Sequence, residues 1–142
     1  MPSVSLALPE PLVADTTAQE RLVLKHYCFD PTMAPKGKSV LTVWLEADPM
    51  YWKRLYAQRE EYAAAKQRTA ELVITALERR YPGLKAAVEM IDVATPATYE
   101  RYTANWYGAF AGWAMTTRKM SMMMGKTMSK CLPGLADFYM IG

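Results

Sequence analysis

Histidine and cysteine are scarce in this chain of 142 residues, which contains one histidine and two cysteines. Cys28 and Cys131 are far apart, with neither the density of a secreted disulfide scaffold nor the CxxC spacing of a metal or redox site. His26 has no second imidazole with which to share a zinc ion. We therefore expect reduced thiols, no metal site, and no catalytic residue of the triad or paired-carboxylate kind.

Strong net charge and long apolar runs are also missing. A net charge of +3 is too small for binding that is driven by phosphate contacts, which excludes a nucleic-acid partner. No apolar run approaches the roughly 20 residues that span a bilayer, and residues 1–11 lack the basic start of a signal peptide. No GxGxxG or GxxxxGK[ST] motif occurs, so a glycine-rich phosphate-binding loop is absent. We expect a cytoplasmic location.

The pattern of apolar residues predicts strands after an irregular start. Residues 1–20 mix proline, serine, threonine and alanine without periodicity and are expected to form an irregular lead-in to a single domain over 21–142. Residues 22–29 and 39–47 favour two strands of a long-looped hairpin, and the alternation in 85–94 favours a third strand. Residues 136–141, which follow Pro133 and Gly134, favour a final short strand.

A long helix is predicted between these strands. Asp48 followed by Pro49 is typical of a helix start, and apolar residues then recur at helical spacing to residue 80. Such a helix would be about 48 Å long, so a kink near residues 58–65 is expected. A second cap and proline predict a short helix over 95–102. The chain is therefore predicted to be α+β, a mainly antiparallel sheet with one long helix and shorter helices on one face.

Aromatic residues and methionine are abundant, with nine tyrosines, four tryptophans and eleven methionines. Residues 99–113 concentrate aromatics around Gly108 and Gly112, which permit close approach of the backbone to a flat or bulky group. This segment is either a packed loop over the core or a wall for a planar cofactor or long apolar ligand. The methionine-rich residues 115–128 are either core filler or a deformable apolar surface.

Four segments resemble a known family. They are HYCFDPTMAPKGKSVL (26–41), YWKRLY (51–56), ALERRYPGL (76–84) and DVATPATYERYTANWYGAFAGW (92–113). Together they resemble the phytoene desaturase, carotenoid isomerase and retinol saturase-like family of FAD-dependent oxidoreductases, from about residue 8 to residue 142. Such enzymes are several times longer and begin with a GxGxxG nucleotide-binding unit that this sequence lacks. The resemblance implies part of the substrate-binding half of a larger flavoprotein, inactive by itself.

The resemblance also implies a set of site residues. FAD is expected in the full-length protein and not in this fragment. Residues expected toward the cofactor are Gly108, Gly112, Met140, Ile141 and Gly142. Residues expected toward the substrate are Tyr102, Thr103, Asn105, Trp106, Tyr107, Phe110 and Trp113.

The expected partners follow from the same resemblance. They are an apolar, polyene-like small molecule, the nucleotide-binding domain of the same protein, a membrane surface contacted peripherally, and further copies of this fragment that associate artefactually through exposed apolar surface. The alternative from another class is a non-enzymatic module that binds an apolar ligand or a protein. The methionine-rich segment and the lack of catalytic groups favour that alternative.

Overall fold

The computed structural model describes residues 3–110 and 134–135. The chain divides into two compact units, Met1–Gly108 and Ala109–Gly142, and the first unit contains every described strand and helix. A strand predicted over 136–141 and the methionine-rich segment lie outside the described residues. The expectation of one domain over 21–142 stays a prediction.

The first unit is α+β, as predicted. Its strands are β1 (Ser3–Val13), β2 (Ala18–His26) and β3 (Leu41–Trp44). Its helices are α1 (Pro49–Tyr56), α2 (Arg59–Arg80), α3 (Leu84–Ala87) and α4 (Pro96–Thr103), followed by a 3-10 turn at Trp106–Gly108.

The sheet is antiparallel, in the order β1-β2-β3. The predicted long-looped hairpin is confirmed as β2 and β3, whose pairing runs from Val23 opposite Trp44 to His26 opposite Leu41. The register of β1 with β2 is regular as far as Ala7, and resumes only at Leu12. The intervening residues form an irregular bulge that holds both prolines of the strand.

Two sequence predictions are wrong. The expected irregular lead-in over 1–20 contains β1, because proline is tolerated in a strand at the edge of a sheet or in a bulge. The expected strand over 85–94 instead begins as helix α3, followed by residues without regular structure. Glu78 favours the helix, since its carboxylate accepts from the amides of Gly83 at 2.8 Å and Lys85 at 2.6 Å.

The predicted long helix is present in two pieces, and the expected kink is confirmed as a break at residues 57–58 between α1 and α2. The start of α1 follows the predicted mechanism. The Asp48 carboxylate accepts from the amides of Met50 at 2.8 Å and Tyr51 at 3.2 Å, and Pro49 occupies the first helical position. The buried Trp52 donates from its indole nitrogen to Asp15 at 3.0 Å, which fastens α1 to the turn between β1 and β2.

Helix α2 packs across the sheet and forms the main core with it. Its buried Val73 and Leu77 meet three leucines of the strands. Leu22 on the central strand is fully buried, and Leu12 and Leu24 lie beside it. A single helix therefore covers the sheet over its core, its C-terminal end packs against α3, and Tyr62 near its N-terminal end lies against the start of α4.

Replacing Asp48 with alanine should lower the melting temperature at neutral pH. This decrease should become smaller as the pH is lowered. The hydrogen bond from the Thr16 hydroxyl, with those from the Met50 and Tyr51 amides, holds the pKa of the Asp48 carboxyl below its ordinary value. A carboxyl whose pKa is lowered in the folded state stabilises the fold above its unfolded-state pKa, and this contribution is lost as pH falls through the folded-state pKa.

Thermal melting of the unchanged protein and of Asp48→Ala, at pH values from about 7 to about 2, measures this loss. Asp48→Asn is the control, because asparagine caps a helix without titrating, and its advantage over alanine should be the same at every pH. A deficit of Asp48→Ala that does not shrink in acid would show that the ionised carboxylate does not stabilise this helix start.

Candidate functional site

Helix α4 begins at a strong local start signal. Thr95 and Thr98 form a reciprocal capping box, and Pro96 occupies the first turn. The Tyr62 hydroxyl, on α2, lies 2.7 Å from the Thr95 hydroxyl and 3.1 Å from the Thr98 hydroxyl. The start of α4 is therefore fixed to α2 by side-chain hydrogen bonds in a partly buried position.

The end of α4 is closed by its own polar side chains. Thr103 donates from its hydroxyl to the carbonyl of Tyr99 at 2.8 Å, and the same hydroxyl accepts from the amide of Asn105 at 3.2 Å. Ala104 adopts a left-handed conformation with φ 57° as the residue after the helix. Thr103, predicted to face a substrate, thus uses its hydroxyl to terminate the helix.

Tyr107 is the most unusual backbone position in the first unit. It is a bulky residue with φ 54°, in the left-handed region that glycine and asparagine favour. Holding such a residue there costs about 1–3 kcal/mol, so the surrounding contacts must compensate. The ring of Tyr107 lies 4.5 Å from that of Trp106 between centroids, and the Lys53 ammonium lies 5.5 Å from the Tyr107 ring.

Three aromatic side chains of α4 and the 3-10 turn are open to solvent. We call Tyr99, Tyr102 and Trp106 the α4 aromatic surface. Tyr102 is 75% exposed and Trp106 is 73% exposed, although both carry large apolar rings. Tyr99 and Tyr102 are three residues apart and so share one side of the helix. Large exposed rings are thus concentrated on one short segment whose two ends are fixed by hydrogen bonds.

Gly108 has a structural reason to be glycine. It is buried with φ 66°, and a Cβ atom added there would lie 2.0 Å from the Pro96 carbonyl oxygen. The close approach expected from the sequence is therefore made to the chain's own backbone at the start of α4. The space on that side of Gly108 is filled by the chain itself, and the assignment of this glycine to a cofactor stays a prediction.

The structure places some predicted site residues together. Those on the last turn of α4 and the 3-10 turn are Tyr102, Thr103, Asn105, Trp106, Tyr107 and Gly108. Phe110 belongs to the second unit and is exposed. The remaining predicted positions, which lie outside the described residues, are Gly112, Trp113, Met140, Ile141 and Gly142.

Sequence reasoning missed an ion pair beside the aromatic surface. The Lys53 ammonium on α1 lies 3.0 Å from the Glu100 carboxylate on α4, and it also approaches the Tyr107 ring. Lys53 belongs to a different helix, 47 positions before Glu100, so no local motif connects the two. The only signal in the sequence is that both residues fall on polar faces of amphipathic segments.

Among the residues that the structure describes, neither His26 nor Cys28 belongs to a larger cluster of titratable or metal-ligating side chains. His26 Nε2 lies 2.8 Å from the Ser39 hydroxyl across the hairpin, and Cys28 is an exposed free thiol. Within the described ranges, 3–110 and 134–135, no three His, Cys, Asp or Glu side chains are arranged to hold a metal ion. Nor is any helix in those ranges both long and apolar enough to cross a membrane.

Comparison with known proteins gives one group of relatives. A prolycopene isomerase of an Oncidium hybrid cultivar is 33% identical over 83 residues, which are 58% of this chain. The chain is similar to prolycopene isomerases. Those of Daucus carota and Arabidopsis thaliana are 28% identical over 92 residues and 30% identical over 83 residues. No protein-family profile and no solved structure matches the chain.

The matches cover a small part of these relatives. The aligned residues are 14% of the Oncidium and Arabidopsis proteins and 15% of the Daucus protein. All three relatives are described as chloroplastic, which is a statement about those proteins. The cytoplasmic location expected from the sequence therefore stays a prediction.

Proposed function

We propose that this chain is the substrate-binding part of a larger FAD-dependent enzyme of the carotenoid isomerase and phytoene desaturase type, and that its α4 aromatic surface contacts an extended polyene. The observation that carries the proposal is the exposure of Tyr102 and Trp106 on a segment fixed at both ends by hydrogen bonds. The similarity to prolycopene isomerases supports the choice of a polyene as the apolar partner.

The surface suits a long, flat hydrocarbon better than a compact ligand. A conjugated chain presents two flat faces, and aromatic rings pack on such faces with offset or edge contacts. Burial of rings that are now open to water provides a hydrophobic contribution of about 25 cal/mol for each Å² removed from water. Described polar side chains near these rings, such as Thr103 and Glu100, already have hydrogen-bond or ionic partners within the chain.

The described residues bind the polyene and exclude water from it. The redox cofactor is assigned to the rest of the larger protein. In enzymes of this type the flavin supplies the redox chemistry when it is bound. Residues 3–110 contain no strand, glycine-rich turn and helix in the order that holds a dinucleotide pyrophosphate. We therefore assign this part of the chain no catalytic residue.

Replacing Trp106 with alanine should weaken the binding of detergent-solubilised prolycopene by about ten- to hundredfold, which corresponds to the loss of about 1.4–2.7 kcal/mol of ring contact. The readout is the induced circular dichroism of the polyene absorption band, which does not depend on the protein's own tryptophans. Trp44→Ala is the matched control, because the Trp44 indole is also exposed, at 44%, but lies on β3.

The two variants separate the proposal from its rivals. Equal losses with Trp106→Ala and Trp44→Ala would mean that the polyene adsorbs to any exposed ring, and the proposed surface would be wrong. The enzymatic part is tested in the longer polypeptide with FAD, where Trp106→Ala should reduce prolycopene isomerisation while the bound flavin is retained. Polyene binding by a longer polypeptide that neither binds flavin nor converts the polyene would favour the non-enzymatic module.

A further inference from the structure

One lysine on α1 contacts both pieces of the segment that carries the α4 aromatic surface. The Lys53 ammonium lies 3.0 Å from a carboxylate oxygen of Glu100 on α4. It also lies 5.5 Å from the centre of the Tyr107 ring on the 3-10 turn. Helix α1 packs against both of these elements. A single cation on a third element therefore connects α4 with the 3-10 turn.

The helix on which Lys53 lies is fixed independently of α4. The adjacent Trp52 is buried and donates to Asp15 in the turn between β1 and β2, and the Asp48 carboxylate caps the start of α1. The long lysine stem is flexible by itself, and the ion pair with Glu100 restricts where its ammonium lies. Lys53 can therefore hold the groups that it contacts at a defined distance from the sheet.

Tyr107 has a backbone conformation that needs such a contact. Its φ of 54° is unfavourable for a bulky residue, and a conformation of this kind persists only where the surrounding structure holds it. A lysine ammonium within about 6 Å of a ring centroid attracts the ring, as Lys53 does with Tyr107. The Tyr107 ring in turn packs on the Trp106 ring, with 4.5 Å between centroids. The position of Trp106 therefore depends on how firmly Tyr107 is held.

The effect of Lys53 is local order and not global stability. Its side chain is 50% exposed and that of Glu100 is 31% exposed, and ion pairs that solvent reaches to this extent contribute little to the free energy of unfolding. The main core lies elsewhere, between α2 and the sheet. Loss of the lysine charge should therefore release the 3-10 turn while the rest of the unit stays folded.

We propose that Lys53 is a positioning residue for the α4 aromatic surface. Its ammonium, held by Glu100, keeps Tyr107 in its left-handed conformation, and Tyr107 keeps the exposed Trp106 ring in the orientation in which it meets an apolar ligand. Lys53 itself does not touch the ligand. Only the contact of Trp106 with a polyene rests on the proposed function, since the ordering of the two rings is a property of the chain without a ligand.

Nitrogen-15 relaxation of the 142-residue chain, without any polyene, tests the positioning. In Lys53→Met, which keeps a long apolar side chain but no charge, the order parameters of the Tyr107 amide and the Trp106 indole N–H should fall from about 0.85 to below about 0.6. Lys53→Arg restores a cation and should keep both values near those of the unchanged chain. Unchanged values in Lys53→Met would overturn the positioning role, as would a loss of order that Lys53→Arg does not restore.

Lys25→Met is the matched control, because the Lys25 ammonium also lies over an aromatic ring, 4.0 Å from the centre of Trp44, but on the sheet. It should leave the order parameters of Tyr107 and Trp106 unchanged. The melting temperature of Lys53→Met should stay close to that of the unchanged chain. A decrease of several degrees, or an equal loss of order in Lys25→Met, would mean that Lys53 supports the fold in general and does not position this ring pair.

Binding of detergent-solubilised prolycopene separates this inference from the proposed function. Lys53→Met should weaken binding by about two- to fivefold, the range of one exposed cation–π contact, and Lys53→Arg should bind as the unchanged chain does. If Lys53→Met loses order at Tyr107 and Trp106 but binds the polyene with unchanged affinity, the proposed polyene contact of Trp106 is wrong, while the ordering of the ring pair by Lys53 stands. Weaker binding without any loss of order would overturn the positioning role.

Discussion

Replacing Leu77 with aspartate should remove about 3–5 kcal/mol from the free energy of unfolding. Leu77 is almost fully buried on α2 and packs in the same cluster as Leu22 and Leu24 of the central strand. The change removes apolar contacts and also places a carboxylate among leucines with no cation to pair with it. Because domains of this size have about 5–15 kcal/mol of stability in total, the variant would be partly unfolded under ordinary conditions.

Urea denaturation followed by circular dichroism at the helix band measures the effect. Leu72→Asp is the matched control, because Leu72 lies on the same helix with a large exposed fraction, and it should shift the midpoint only slightly in the 142-residue chain. Similar midpoints for the two variants would mean that α2 does not cover the sheet through Leu77. The slope of the transition should be unchanged if only the folded state is affected.

The sheet shows which strands a sequence pattern can identify. β2 and β3 lie within or near the predicted ranges because residues 22–29 are rich in aliphatic and aromatic side chains, residues 39–47 alternate, and neither range contains a proline. β1 was missed because Pro9 and Pro11 interrupt its alternation, and prolines in a strand are compatible only with an edge or a bulge. Whether a strand is at an edge depends on which elements pair, and that information is not local in the sequence.

The segment after α2 shows the opposite error. Residues 85–94 alternate like a strand, but Glu78 binds two amides beyond the end of α2 and so starts a helical turn at Leu84. Glu89 and Asp92 in the following residues form ion pairs with Lys38 and Lys66. A strand needs a neighbouring strand, and among residues 3–110 none is placed beside this segment.

The candidate site could be located from the sequence but not explained by it. The density of aromatics in residues 99–113 identified the segment, and the cap at Thr95 correctly predicted the start of α4. The left-handed Tyr107, the Lys53–Glu100 pair and the contact of Gly108 with Pro96 all depend on how separate elements pack. The same glycine that indicated room for a cofactor lets the 3-10 turn, in the folded chain, contact the start of α4 at Pro96.

Replacing Gly108 with alanine should therefore destabilise the α4 segment by about 2–5 kcal/mol, which combines left-handed strain with overpacking. The added Cβ would lie 2.0 Å from the Pro96 oxygen, 2.6 Å from its carbonyl carbon and 2.7 Å from its Cα, and all three are backbone atoms. No change of side-chain rotamer relieves such a contact, so the 3-10 turn must move away from the start of α4. The capping box of α4 and the rings of Trp106 and Tyr107 on the 3-10 turn would then lose their fixed positions.

Gly37→Ala separates the two contributions, because Gly37 also has a positive φ, 83°, but an added Cβ there meets no heavy atom within 4 Å. The control should therefore show only the strain of a left-handed alanine, about 1 kcal/mol. Amide exchange of residues 97–104 is the direct readout, and it should accelerate in Gly108→Ala but not in Gly37→Ala. Equal effects of the two changes would show that the Pro96 contact is absent in solution, and Gly108 would again be available to a bulky ligand beside the aromatic surface.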